Sequence, residues 1–113
     1  MAENISMILE NYTNDLCKIY GNHLKKIILY GSYARGDNRK DSDIDIMILV
    51  DLQDEQMEAL SDVLSELDFE YNVTYGIWIM PIVKNIQHFN SWNDIYPFYI
   101  NVKKEGISLY EAA

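Results

Sequence analysis

Leu24-Lys25-Lys26-Ile27-Ile28-Leu29-Tyr30-Gly31-Ser32-Tyr33-Ala34-Arg35-Gly36, followed six positions later by Ser42-Asp43-Ile44-Asp45-Ile46-Met47-Ile48-Leu49-Val50, decides the fold. Leu24 to Tyr30 is a short apolar run bounded by Gly21-Asn22 and Gly31-Ser32, which predicts a strand. The chain must turn at Gly31, where the missing Cβ permits positive φ and close approach of a ligand. Ser32 is placed to cap a short helix whose first amides and positive dipole end suit a phosphate. A plain strand-to-helix turn uses the same Gly-Ser pair, so the residues that follow must decide the chemistry.

Side chains alternate along a strand. Asp43, Asp45, Met47 and Leu49 therefore share one face of the second run, and Ile44, Ile46, Ile48 and Val50 share the other. At roughly 3.3 Å of rise per residue, the Cα atoms of Asp43 and Asp45 lie roughly 6.6 Å apart, a spacing that lets both carboxylates converge on Mg²⁺. From Ile46 onward both faces are apolar, as in a central strand covered on both sides. Two charges at the entrance of such a strand need a metal, a partner charge or solvent.

The segment Gly31-Ser32 with Ala34-Arg35-Gly36, then Ser42-Asp43-Ile44-Asp45, resembles the signature of the minimal nucleotidyltransferases of the polymerase-β-like superfamily. The resemblance implies an α+β fold, a small mixed β-sheet with helices packed on it. It also implies Mg²⁺-dependent transfer of a nucleotidyl group, most simply adenylyl from ATP, to a hydroxyl on a protein or small molecule. On that pattern Gly31 and Ser32 hold the triphosphate, and Asp43 and Asp45 are the catalytic, Mg²⁺-binding carboxylates. Arg35 either assists with the phosphate or braces the loop. Such chemistry rests on positioning and charge stabilisation and needs no protein nucleophile.

Active members of that family usually draw a third carboxylate from a later strand, within an apolar-Asp-apolar segment. The corresponding strand is expected at Tyr71 to Ile82, which contains no acid, and Ile77-Trp78-Ile79 places Trp78 in the slot. Glu70, and less directly Asp68, are the nearest substitutes. Two readings of the resemblance follow. One is an active transferase. The other is a catalytically degenerate nucleotide-binding module, antitoxin-like, that masks a helical HEPN-type protein. A homodimer is the other partner the small size invites.

The chain has 113 residues, enough for one domain over 1–113, and its apolar and aromatic content excludes disorder. With 18 acids against 9 bases and a formal charge of −9, general binding to nucleic acid is excluded. The bases Lys25, Lys26, Arg35, Arg39 and Lys40 are expected to flank the triphosphate or to balance surface acids. Cys17 is the sole cysteine and forms no intrachain disulfide, which together with the lack of a membrane span or signal-like start points to a cytoplasmic protein.

Ile5, Ile8, Leu9, Tyr12, Leu16, Ile19 and Tyr20 recur at helical spacing and stop at Gly21-Asn22. Met57, Leu60, Val63, Leu64 and Leu67 predict a second amphipathic helix, leading over to the Tyr71 strand. Asn85 to Ile95 and Pro97 to Gly106 predict two more short helices. Trp92, Tyr96, Phe98 and Tyr99 are read as packing against the sheet, with partner docking as the alternative. His88 is expected as a surface or partly buried helix residue and His23 in a loop, without zinc-like spacing.

Overall fold

A computed structural model describes residues 3–112; the outermost positions of the 1–113 span, Met1, Ala2 and Ala113, lie outside the described residues. Four strands, β1 (Leu24–Tyr30), β2 (Ile44–Val50), β3 (Ile79–Asn85) and β4 (Ile107–Glu111), form one sheet in the order β3-β2-β1-β4. β1 runs antiparallel to both β2 and β4, and β2 runs parallel to β3, so the sheet is mixed. Helices α1 (Glu3–Tyr20), α2 (Ser32–Arg35), α3 (Asp54–Ala59), α4 (Ser61–Tyr75), α5 (Ile86–Trp92) and α6 (Pro97–Glu105) complete the α+β fold.

The alternation expected for β2 sorts its side chains into two cores. Ile44, Ile46, Ile48 and Val50 pack with the α1 stripe of Ile5, Ile8, Leu9, Tyr12, Leu16 and Tyr20, and with Leu64 and Tyr71 of α4. Met47 and Leu49 turn to the other face, where Ile28, Phe89, Tyr99 and Val102 enclose them. Each such aliphatic side chain contributes about 1.5–3 kcal/mol when fully buried, which anchors β2 between two helical layers. The first segment behaves as its periodicity predicts, ending at a 3₁₀ turn over Gly21–His23.

The strand expected at Tyr71 to Ile82 is displaced. Tyr71 through Tyr75 belong to α4, and the strand runs from Ile79 to Asn85. The reason is packing: Tyr71 is buried against α1, its ring meets Tyr12 edge-on at 5.3 Å, and its hydroxyl donates to Asp15 at 2.6 Å. That anchoring overrides the strand preference of Val73-Thr74-Tyr75, and α4 continues until Gly76 adopts a left-handed cap. Asn72 then reaches forward to accept the Ile79 N–H at 2.8 Å, starting β3.

The single amphipathic helix expected around Met57–Leu67 is two, broken at Leu60. Gln53 and Gln56 close a reciprocal capping box at the start of α3, so the first helix has its own nucleus. β4, for which no strand was expected, pairs with β1 and forms one edge of the sheet. No described helix is long and apolar enough to cross a membrane.

Candidate nucleotide site

Gly31 ends β1 with φ 75° and ψ −155°, a backbone region essentially restricted to glycine. The position also demands glycine on space, because a Cβ there would run into the Asp45 carboxylate. Turn and carboxylate are thus in direct contact. α2 follows at once: the Ala34 and Arg35 amides donate to the Gly31 carbonyl at 3.1 and 3.0 Å, and those of Gly36 and Asp37 to the Ser32 carbonyl at 2.9 and 3.1 Å. Gly31 takes the cap position and Ser32 is the first helical residue, so the Ser32 hydroxyl is not used as a cap. This corrects the expected capping role of Ser32. The amides of Ser32 and Tyr33 are those that helix geometry leaves without intrahelical acceptors.

Ser42 shapes the approach to β2. Its hydroxyl accepts the Arg39 N–H at 2.7 Å while its own amide donates to the Arg39 carbonyl at 3.1 Å. This closed turn delivers Asp43 to the mouth of the strand. Asp45 pairs across the antiparallel ladder with Tyr30. Burial, then repulsion from Asp43, raises the Asp45 pKa above the ordinary carboxylate range; Arg35 opposes the shift and Glu105 adds to it. Tyr30 is pushed up to about 12 by burial and by the Asp45 charge, so its hydroxyl stays neutral.

Gly31, Ser32, Arg35, Asp43 and Asp45 all line one cleft of about 410 Å³. Its remaining wall comes from α6, through Phe98, Asn101, Val102 and Glu105. Phe98 meets the Tyr30 ring edge-on at 5.6 Å. None of the α6 residues was marked as part of the site in the sequence. Phe98 belonged to an aromatic cluster assigned to packing, and Glu105 carried no local signal. Arg35 lies at the rim, donating to Asp37 at 3.3 Å and to both Glu105 oxygens at 3.3 and 3.2 Å.

Of the two roles expected for the other bases, Lys25 and Lys26 take the second and balance surface acids. Lys25 and Lys26 sit at the far end of β1, roughly 16–20 Å from Gly31 by strand rise. There they pair with Asp51 and Glu111 at 3.5 and 3.9 Å. Arg39 and Lys40 are exposed on the loop before β2. The proposed acid substitutes also fail on position: Glu70 is exposed on α4, and Asp68 accepts the Tyr12 hydroxyl at 2.6 Å between α4 and α1. Both lie in α4, which packs on the opposite face of the sheet. Trp78 precedes β3 and is 61% exposed, its carbonyl accepting the Ile44 N–H at 2.7 Å. The residue level with Asp45 on the adjacent strand is Met80.

A second cleft of about 450 Å³ lies at the other end of β3, against Lys84, Asn85, His88 and Tyr99. Asp54 is its single carboxylate. His88 is an exposed α5 residue whose Nδ1 lies 3.0 Å from the Tyr99 hydroxyl, and His23 pairs with Asp51 at 2.7 Å. Among the described residues no group of three or more His, Cys, Asp or Glu side chains is arranged to hold a metal ion. The two aspartates instead form a hard-oxygen pair suited to a partly hydrated cation shared with substrate phosphates.

A glycine-kinked strand-to-helix turn packed on the first carboxylates of the neighbouring strand, within a mixed sheet, defines a nucleotidyltransferase fold of the polymerase-β type. The chain belongs to the nucleotidyltransferase domain family, whose model matches residues 9–106. A candidate protein adenylyltransferase of Methanocaldococcus jannaschii, MJ0604, is 36% identical over 110 residues, covering 95% of this chain and 99% of that one. Among solved structures, a toxin–antitoxin complex with AMP-PNP superposes with a TM-score of 0.57 at 20% identity, over 91% of this chain and 73% of that one. A complex of a tri-AMPylated Shewanella oneidensis HEPN toxin with an MNT antitoxin gives 0.51 at 18% identity, over 95% and 73%. These two likenesses establish the shared fold.

Proposed function

We propose that this chain transfers an adenylyl group from ATP to a hydroxyl on a protein or small-molecule acceptor, with Mg²⁺ held by Asp43 and Asp45. The observation that carries the proposal is the contact between Gly31 and the Asp45 carboxylate, which joins a phosphate-binding turn to a metal-binding pair inside one cleft. The similarity to a candidate protein adenylyltransferase favours a protein acceptor.

The Ser32 hydroxyl and the Ser32 and Tyr33 amides are the donors available to the triphosphate. Asp43 and Asp45 supply the negative pole that would hold the cation at the mouth of β2. Bound Mg²⁺ would neutralise the triphosphate and leaving pyrophosphate and lower the pKa of the attacking hydroxyl. Tyr30 and Phe98 wall the cleft with aromatic surface on which a base can rest. The hydroxyl oxygen attacks the α-phosphorus and gives up its proton to solvent, the bond from the α-phosphorus to the bridging β-phosphate oxygen breaks, and pyrophosphate leaves.

The test is transfer of label from α-phosphate-labelled ATP, with Mg²⁺, to any component of a native extract. Wild type should label an acceptor, and Asp43→Asn or Asp45→Asn should abolish labelling while circular dichroism shows an unchanged fold. Undiminished labelling by both variants would reject the assignment.

Met80 beside Asp45, with no acid on β3, supports a second reading: a degenerate module that binds nucleotide and masks a HEPN-type partner. The solved complex of a HEPN toxin with an MNT antitoxin supports such a partner. Mg²⁺-dependent ATP binding without any labelling, together with recovery of a helical partner in a pull-down, would favour this reading over catalysis.

A further inference from the structure

Glu105 closes α6 and is followed by Gly106, where a Cβ would meet both the Val102 carbonyl and the Ile28 side chain. Glycine therefore lets the end of α6 press directly on β1. The close approach brings Glu105, from 74 positions along the chain, onto the turn after β1. Its carboxylate accepts the Gly31 N–H at 3.1 Å and takes both of its oxygens to Arg35 Nη1 at 3.3 and 3.2 Å. Arg35 Nε is engaged in turn by Asp37 at 3.3 Å. One backbone amide of the turn and the guanidinium beside it are thus committed to protein carboxylates.

We propose that Glu105 is a positioning residue that holds the Gly31 turn against Asp45, and that Arg35 serves as its counter-charge and not as a ligand of the phosphate. The inference rests on the reading of the cleft as a nucleotide site. A carboxylate at that rim would repel a triphosphate if left bare, because like charges brought together at close range oppose binding. Arg35 cancels it. Gly31 needs an acceptor for its N–H to keep a conformation that its neighbours in sequence do not impose. Glu105 meets that need, and Arg35 makes a charged residue tolerable in the role.

A double-variant cycle separates this arrangement from direct phosphate binding by Arg35. Titration calorimetry with Mg²⁺ and a non-hydrolysable ATP analogue would be run on wild type, Arg35→Ala, Glu105→Gln and the double variant. Circular dichroism would confirm that each is folded. Arg35→Ala should weaken binding by about tenfold or more, from a bare Glu105 carboxylate, and the double variant should recover to within about threefold of wild type. A double variant as weak as Arg35→Ala would overturn the assignment, since a lost phosphate ligand cannot be restored from Glu105.

Hydrogen exchange provides a readout independent of nucleotide. The Gly31 amide should be protected in wild type and in Glu105→Gln, which retains an acceptor oxygen, and should lose protection in Glu105→Ala. Equal Gly31 exchange in all three proteins would remove Glu105 from the positioning role. If wild type binds no nucleotide, the nucleotide reading fails while the exchange comparison still decides whether Glu105 positions the turn.

Discussion

Replacing Asp68 with asparagine should stabilise the protein at neutral pH and leave nucleotidyl transfer unchanged. Asp68 lies between α4 and α1, where burial pushes its pKa up to about 6 from an ordinary 3.8, in spite of the hydrogen bond donated by Tyr12. A folded pKa above the unfolded one means that the folded state holds the proton more tightly. The stability from this group is full below pH 3.8 and is lost as pH rises through about 6. The gap corresponds to on the order of 3 kcal/mol, and partial solvent exposure of the carboxylate reduces this to about 1–2 kcal/mol. The side-chain amide of the Asp68→Asn variant would keep an oxygen to accept the Tyr12 hydroxyl without carrying a charge. The variant should therefore match wild type near pH 4 and exceed it by about 1–2 kcal/mol at pH 7.5, a rise in Tm of about 4–8 °C. Urea unfolding of both proteins at pH 4, 6 and 7.5 measures the difference. A variant less stable than wild type at pH 7.5, or a difference independent of pH, would refute the reasoning. Lost transfer in the variant would restore Asp68 as a candidate for the third acid.

Gly31→Ala should cost about 1–3 kcal/mol from its backbone conformation alone, more from collision with Asp45, and abolish nucleotide binding; thermal unfolding and calorimetry read the two effects. Met80→Asp would place a carboxylate level with Asp45 on β3 and should raise the rate of labelling from ATP by about 10²-fold, if an added acid assists the attacking hydroxyl as a general base. An unaltered rate would show that the site gains nothing from a third acid at this position. Leu49→Ala, in the core beneath α5 and α6, should lose about 2–5 kcal/mol in chemical denaturation.

The β2 strand was legible because alternation alone assigns its residues to faces, and both faces proved apolar and covered. The Gly31 turn was legible because glycine there answers both a backbone and a spatial demand. β3 was misplaced because Val73-Thr74-Tyr75 has strand preference, whereas Tyr71 and its bond to Asp15 hold that segment in α4. Nothing local in the sequence announces that tie. β4 left a faint trace in the alternation Ile107-Ser108-Leu109, too short to outweigh the preceding helix. Lys25 and Lys26 were near Gly31 in sequence, but an extended strand carries them to the opposite end of the sheet. Glu105 was illegible for the converse reason: a distant residue arrives at the turn only through the packing of α6 on β1.

The bond between Gly31 and Glu105 also dictates when the cleft can exist during synthesis. The turn and both aspartates are synthesised first, Asp45 about 60 residues ahead of Glu105, an interval on the order of 3–12 s at ordinary elongation rates. Throughout that interval the nascent chain carries the Gly31 turn without the carboxylate that accepts its N–H. Closure of so long a loop comes late in folding. A chain interrupted before α6 would thus carry the recognisable signature, yet lack the wall that α6 gives the cleft.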